Sequence, residues 1–204
     1  VELAAMANNH CLDRGGRGAQ NTIRKLDSAA IERVGVYADS ADYVKNAVKY
    51  IERGGIRFAF VNYTYGTNGI PLPKGVVVNQ IDTVIMAQHL KSIPRSECDC
   101  VVALMHWGNE YERKPHPSQV RIKEFLHRHG VDLIVGSHPH VIQPYEVDSL
   151  GRITLYSLGN FISNQRTPPR DGGLMAQIDI AEVAVGEFNY HLKLNPVWVN
   201  LPKY

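Results

Sequence analysis

Five short apolar runs, each ending in a polar or glycine-containing turn, set the main limit on how this chain folds. They read "ELAAMANNH", "IRFAFVNYTYG", "CVVALMHWGNE", "DLIVGSHPH" and "ITLYSLGNFIS". Short runs rich in β-branched and aromatic residues and bounded by turn residues are the pattern of buried strands. Helical periodicity lies between some of them. "GAQNTIRKLDSAAI" places Ile23, Leu26 and Ala30 on one face. "DTVIMAQHL" offers Asp82 as an N-cap with Val84, Ile85 and Leu90 behind it. "PSQVRIKEFLHRHG" turns Val120, Phe125 and Leu126 inward, and Gly130 stops it. Hairpins are expected at Gly54-Gly55, whose first half also fits a helix, and near Asp148–Gly151. "TYGTNGIPLPKG" and "SNQRTPPRDGG" read as loops. Strands alternating with helices predict an α/β fold, and the hairpins make its sheet mixed.

Ligands in such folds gather at the carboxyl ends of strands. Three of the five runs deliver histidine there: Asn9-His10, His106, and His138 with His140. Imidazole is a common ligand for zinc, manganese and iron. In an extended segment, residues i and i+2 point the same way, so His138 and His140 are expected to share a face, stiffened by Pro139. A single histidine after a strand is ordinarily a hydrogen-bonded loop residue, and an isolated H-x-H is ordinarily a polar turn. It is the repetition at three strand ends that points to a metal or catalytic site. Asp13 is placed to hold the His10 ring, or else is a helix-entry acid. Glu110 is a candidate to bind metal, orient a histidine or contact substrate, or is a solvated loop acid. Asn160, in "SLGNF", suits a tight turn. The other histidines carry less: His127 and His129 suit the end of a helix dipole, His89 falls in a helical pattern, His116 in a loop and His191 in a terminal strand pattern.

Composition excludes several classes. The 204 residues, 44% of them hydrophobic, suit one domain with a real core. A net charge of +2, without a long run of one sign, gives no support for nucleic-acid binding. Nothing approaches a membrane span or a signal peptide. Cys11, Cys98 and Cys100 are an odd number and make no closed disulfide set or zinc cage. The chain opens at Val1 without an initiator methionine, as a trimmed product would.

"ANNHCLDRGGRGAQNTIRKLD", "MHWGNEY", "VDLIVGSHPHVIQPYEV" and "LYSLGNFI" resemble the CapA family of bacterial poly-γ-glutamate capsule-synthesis proteins, over most of the chain and in the right order. That family is similar to the calcineurin-like metallophosphoesterases. The resemblance implies a metallophosphatase-like sandwich of two mixed β-sheets flanked by helices, with residues 1–204 as one domain. It implies Asn9, His106, His138 and His140 as metal ligands, His10 beside the scissile group with Asp13, and Glu110 and Asn160 as substrate-contacting or ligand-supporting residues. The implied cofactors are divalent ions (Mn, Fe or Zn), dinuclear in the intact protein. The wider superfamily also uses aspartates from two earlier strands. No D-x-H or Gly-Asp occurs here, so those residues are expected before Val1, and a partial or empty site is expected in this chain.

Three functions stay open: a metal-dependent hydrolase of a phosphoester or of an amide-linked polymer such as poly-γ-glutamate; a non-catalytic, polymer-binding component of a capsule assembly machine; and a structural metal site. The expected partners are an anionic polymer or phosphoester and membrane-bound capsule-synthesis components, with no nucleic acid. The expected location is extracytoplasmic, through an N-terminal anchor.

Overall fold

A computed structural model describes residues 1–199. The chain divides into two compact units, Val1–His106 with His129–Val131, and Trp107–Arg128 with Asp132 onward.

The first unit opens with a β-α-β turn of the chain. Strand β1 (Leu3–Ala5) leads through helix α1 (Gly15–Ser28) to strand β2 (Glu32–Val34), which pairs with β1 in parallel. Helix α1 buries Ala19 and Ile23 against Met6, Leu12, Val36 and Val78. Leu26 packs against the same cluster, but Ala30 does not continue the helical face. Ala30 lies beyond the last turn, exposed, with φ at 53°, because the helix ends at Ser28. Strand β3 (Val36–Tyr37), helix α2 (Ser40–Asn46) and strands β4 (Lys49–Arg53) and β5 (Ile56–Thr64) follow. Helix α2 is capped by Asp39, whose side chain accepts from the Asp42 N–H. Strands β4 and β5 form the hairpin expected at Gly54-Gly55. Both glycines have positive φ, the requirement of a tight two-residue turn.

Strand β6 (Val77–Val78) pairs with β3, and helix α3 (Thr83–Lys91) follows. Asp82 caps α3 as expected, accepting from the N–H groups of Val84 and Ile85. The face it buries is Met86, His89 and Leu90, whereas Val84 is exposed. Val84 sits in the first turn, one residue off the stripe that Met86 and Leu90 define at i and i+4. Strand β7 (Cys100–His106) then runs parallel to β5, in register from Phe58 opposite Cys100 to Thr64 opposite His106. Its first four residues are all buried, as in a strand covered on both faces. Buried Asn62 of β5 fastens the chain leaving β1: its Oδ1 accepts the Ala7 N–H at 2.6 Å, and its Nδ2 donates to Leu104 O at 2.9 Å.

The second unit begins at Trp107 and contains helix α4 (Pro117–Arg128). Leu126 is fully buried, while Val120 and Phe125 are half-buried. His127 is buried as well and bonds Thr154 Oγ1 at 2.8 Å, so more than the helix dipole fixes it. Strand β8 (Leu133–Ser137), strand β9 (Tyr145–Val147) and strand β10 (Ile153–Leu155) form one ladder, with β10 parallel to β8 and antiparallel to β9. Asp148 shapes the turn between β9 and β10 by accepting from the Leu150 and Arg152 N–H groups. Strands β11 (Gly172–Ala184) and β12 (Glu187–Trp198) make a long antiparallel hairpin. Glycine at 136, inside β8, has a packing cause. A Cβ there would meet Tyr156 O at 2.0 Å and Trp107 Nε1 at 2.5 Å. The missing side chain lets the Trp107 indole donate to Tyr156 O at 2.9 Å.

Candidate functional site

Each unit gathers one set of the expected donors. In the first, His106 is the last residue of β7, and Asn9 and His10 follow β1 by a short loop. His106 Nε2 lies 2.8 Å from Asn9 Oδ1. The Asn9 amide is oriented by a residue the sequence reading passed over. Its Nδ2 donates to Asn68 Oδ1 at 3.1 Å, which turns Oδ1 toward His106. Asn68 holds that position from a left-handed backbone, φ 53°, in the Asn68-Gly69 turn. The Tyr65 ring stacks on His106, with centroids 6.2 Å apart and planes at 10°. His10 is more open, its side chain 60% exposed, and its Nδ1 bonds Asp13 Oδ2 at 2.8 Å. Asp13 thereby fixes the ring and leaves Nε2 outward.

In the second unit, His138 directly follows β8 and is buried, and His140 is half-buried. Their ring centroids are 6.3 Å apart. The expected extended geometry is absent: φ is 100° at His138 and 58° at His140. The two rings therefore do not share a face through strand alternation. A pair of bends around Pro139 brings them near each other instead. Non-glycine residues at positive φ are uncommon and cost free energy, and they cluster at functional sites. Tyr111, also at positive φ, donates its N–H to Pro139 O at 2.7 Å and stacks on the His140 ring at 6.1 Å.

Asn160 organises this set. It is buried; its Oδ1 accepts from His140 Nδ1 at 2.9 Å, while its Nδ2 donates to Arg170 O at 2.7 Å and to His140 O at 3.3 Å. The two carbonyls fix which end of the amide faces the ring. His140 Nδ1 therefore carries the proton, and Nε2 presents its lone pair. Gly173 makes room for this packing, since a Cβ there would sit 2.4 Å from Asn160 O. Glu110 is exposed, and among the described residues it makes no hydrogen bond or ion pair. Sequence reasoning missed Asn68, Tyr65 and Tyr111. The Asn-Gly dipeptide was a usable sign of the first, because it favours positive φ.

The donors suit a divalent cation in part. Two ligands held about 2.1 Å from one ion lie about 3 Å apart, close to the observed separation of His106 Nε2 and Asn9 Oδ1. The pinned His140 ring is the usual arrangement of a metal-binding histidine. Neither set contains a carboxylate. Among the described residues, no group of three or more His, Cys, Asp or Glu side chains is gathered closely enough to hold a metal.

Comparison with known proteins agrees with the resemblance in the motifs. Capsule biosynthesis protein CapA of Bacillus anthracis is 35% identical over 176 residues, 83% of this chain and 42% of that protein. PGA biosynthesis protein CapA of Bacillus subtilis (strain 168) is 32% identical over 192 residues, 93% of this chain and 46% of that protein. The chain thus spans less than half the length of these relatives. Among solved structures, a putative 5'-nucleotidase from Staphylococcus aureus, in complex with alpha-ketoglutarate, matches 95% of this chain and 38% of its own, with a TM-score of 0.63 and 16% identity. Sulfate thiohydrolase SoxB of Thermus thermophilus matches 89% of this chain and 31% of its own, with a TM-score of 0.51 and 15% identity. These likenesses show a metallophosphatase-like α/β fold. Residues 1–165 match the model of the bacterial capsule synthesis protein PGA_cap, and the chain belongs to that family.

Proposed function

We propose that this chain carries part of a metal-dependent hydrolase that acts outside the cytoplasm on a phosphoester or on the amide links of an anionic polymer such as poly-γ-glutamate. Asn9 and His106 in the first unit, and His138 and His140 in the second, are its metal ligands. The observation that carries this reading is the His140 ring, held through Nδ1 by Asn160 on a strained backbone, with Nε2 left for a ligand. A divalent ion held by the donors of either unit would supply Lewis acidity there. The chain's own residues do the rest. Asn68 and Asn160 orient the ligands. His10, steadied by Asp13, is exposed enough to meet a substrate and donate a proton to the departing oxygen or nitrogen. The name of the Bacillus subtilis relative, a PGA biosynthesis protein, supports the polymer as substrate.

A second reading has its own support. The donors among the described residues include no carboxylate, a set that also fits a non-catalytic assembly component binding polymer through a degenerate site. One experiment separates the two. Manganese and zinc per chain of the full-length protein are measured by elemental analysis after dialysis, beside hydrolysis of a generic phosphodiester and of poly-γ-glutamate. Bound metal with turnover supports the hydrolase. Bound metal without turnover of either substrate moves the assembly role ahead, and no metal at all removes the ligand assignment.

A further inference from the structure

The outer face of α1 carries guanidinium groups that no carboxylate pairs with among the described residues. Arg14, Arg17 and Arg24 are exposed, and among the described residues none of them forms an ion pair. The other arginines of this unit are engaged. Arg33 is held by Asp27 and Asp42, Arg53 by Glu2 and Arg57 by Asp99, while Arg95 donates to the His129 and Gly130 carbonyls. Arg14, Arg17, Asn21 and Arg24 recur at helical spacing, so they form one stripe about 15 Å long.

The surface along the stripe is hollowed. A depression of about 380 Å³ is lined by Arg14, Arg17, Gly18, Asn21 and Arg24. A neighbouring one of about 530 Å³ shares Arg14, Gly18 and Asn21 with it and reaches His10 and Asp13. Gly18 keeps the passage open: a Cβ there would lie 2.4 Å from Arg14 Cβ. Glycine inside a helix costs stability relative to alanine, so this position gives up stability for the space that the Arg14 stem occupies.

We propose that this stripe is a binding track for a polycarboxylate chain, leading it to His10. Planar guanidinium forks match carboxylates in paired hydrogen bonds, and Asn21, whose Oδ1 accepts from Arg24 Nη2 at 3.4 Å, keeps its amide N–H groups to meet an amide carbonyl between them. A nucleic acid fits less well, because the stripe has no aromatic side chain for bases to stack on. The inference deepens the proposed function by assigning the polymer a place, and it rests on that reading only where the track meets His10.

The test uses fluorescein-labelled poly-γ-glutamate, followed by anisotropy at low salt, with the 204-residue chain and its R17E/R24E variant. Both substitutions are on exposed positions, and a thermal melt checks that the variant folds. The variant should bind about tenfold more weakly, and wild-type affinity should fall as salt rises. Gly18→Ala, which crowds Arg14 without changing charge, should weaken binding about threefold. Binding within twofold of wild type in R17E/R24E overturns the track. So does an oligonucleotide of equal charge that competes as well as unlabelled polymer. Metal content is read on the full-length protein, because a partial or empty site is already expected in this chain. Intact polymer binding there without metal would sink the hydrolase reading and leave the track standing.

Discussion

The two donor sets reach similar chemistry by different routes. In the first unit, the ligand candidate comes from a regular strand: His106 ends a seven-residue parallel ladder, and Asn9 is brought to it by a loop that Asn62 fastens. In the second, both histidines sit past the end of their strand on positive-φ backbone, propped by Asn160 and Tyr111. A strand end places a side chain at no conformational cost. A strained bend places it only if the packing around it holds firm. The second set should therefore depend far more on its surroundings than the first.

The hardest blow to that packing is Gly136→Ala. The new methyl would meet a backbone carbonyl, Tyr156 O, and the indole nitrogen bonded to it. Neither is the free end of a flexible chain, so the clash has no easy relief. We expect a loss of about 3 kcal/mol in urea denaturation, with the proposed ligands His138 and His140 displaced as well. A wild-type denaturation midpoint would show that β8 and its histidines tolerate displacement, and the contrast between the units would fail.

Next in size is the split between His140→Ala and His10→Ala. Losing a ligand should lower metal affinity at least tenfold, while His10→Ala should keep its metal and lose turnover by about 10²-fold or more. Equal metal loss in the two variants would make His10 a ligand and undo its assignment as proton donor.

Much of the fold could be read in the sequence, for identifiable reasons. The five apolar runs all contain strands; in four of them burying a short β-branched segment leaves few alternatives, whereas β1 is only half-buried and has no β-branched residue. Asp82 capped its helix because an aspartate before a helical run has one dominant use. Errors fell where a neighbour decides. Val84 is apolar, yet its turn of α3 has nothing above it, and Ala30 lies past a helix end that periodicity alone does not mark. The histidines were visible through repetition at strand ends, but the bends at His138 and His140 were not. Positive φ at histidine is imposed by partners far along the chain, Asn160 and Tyr111 among them, and no local pattern announces it.

That strain gives a sharper comparison. Asparagine tolerates the left-handed region better than most residues. His140→Asn should therefore offset its lost ring contacts and leave stability within about 0.5 kcal/mol of wild type. His106→Asn, on ordinary strand backbone with its ring stacked on Tyr65, should cost about 1 kcal/mol. Equal losses in the two would mean that the bend at His140 stores nothing.

The smallest effect concerns a histidine in neither donor set. His89 is buried in α3 with both ring nitrogens occupied, Nε2 by the Tyr43 hydroxyl at 2.7 Å and Nδ1 by the Tyr63 hydroxyl at 2.8 Å. His140, by contrast, is pinned through one nitrogen, and this difference separates a structural imidazole from a ligand candidate. Burial pushes the His89 pKa below its ordinary 6.5. The unfolded chain then takes up a proton on this residue at a higher pH than the folded one does. Its stabilising contribution is complete above pH 6.5 and is lost as the pH falls toward the lower folded value. Tyr43→Phe removes one of its hydrogen bonds and should cost about 0.5–1 kcal/mol at neutral pH. His89→Gln should cost more there, but it should also flatten the fall in the urea midpoint between about pH 7.5 and about pH 5.5. The informative quantity is the difference in slope between wild type and His89→Gln. An unchanged slope would show that His89 is not the buried group whose protonation opposes folding.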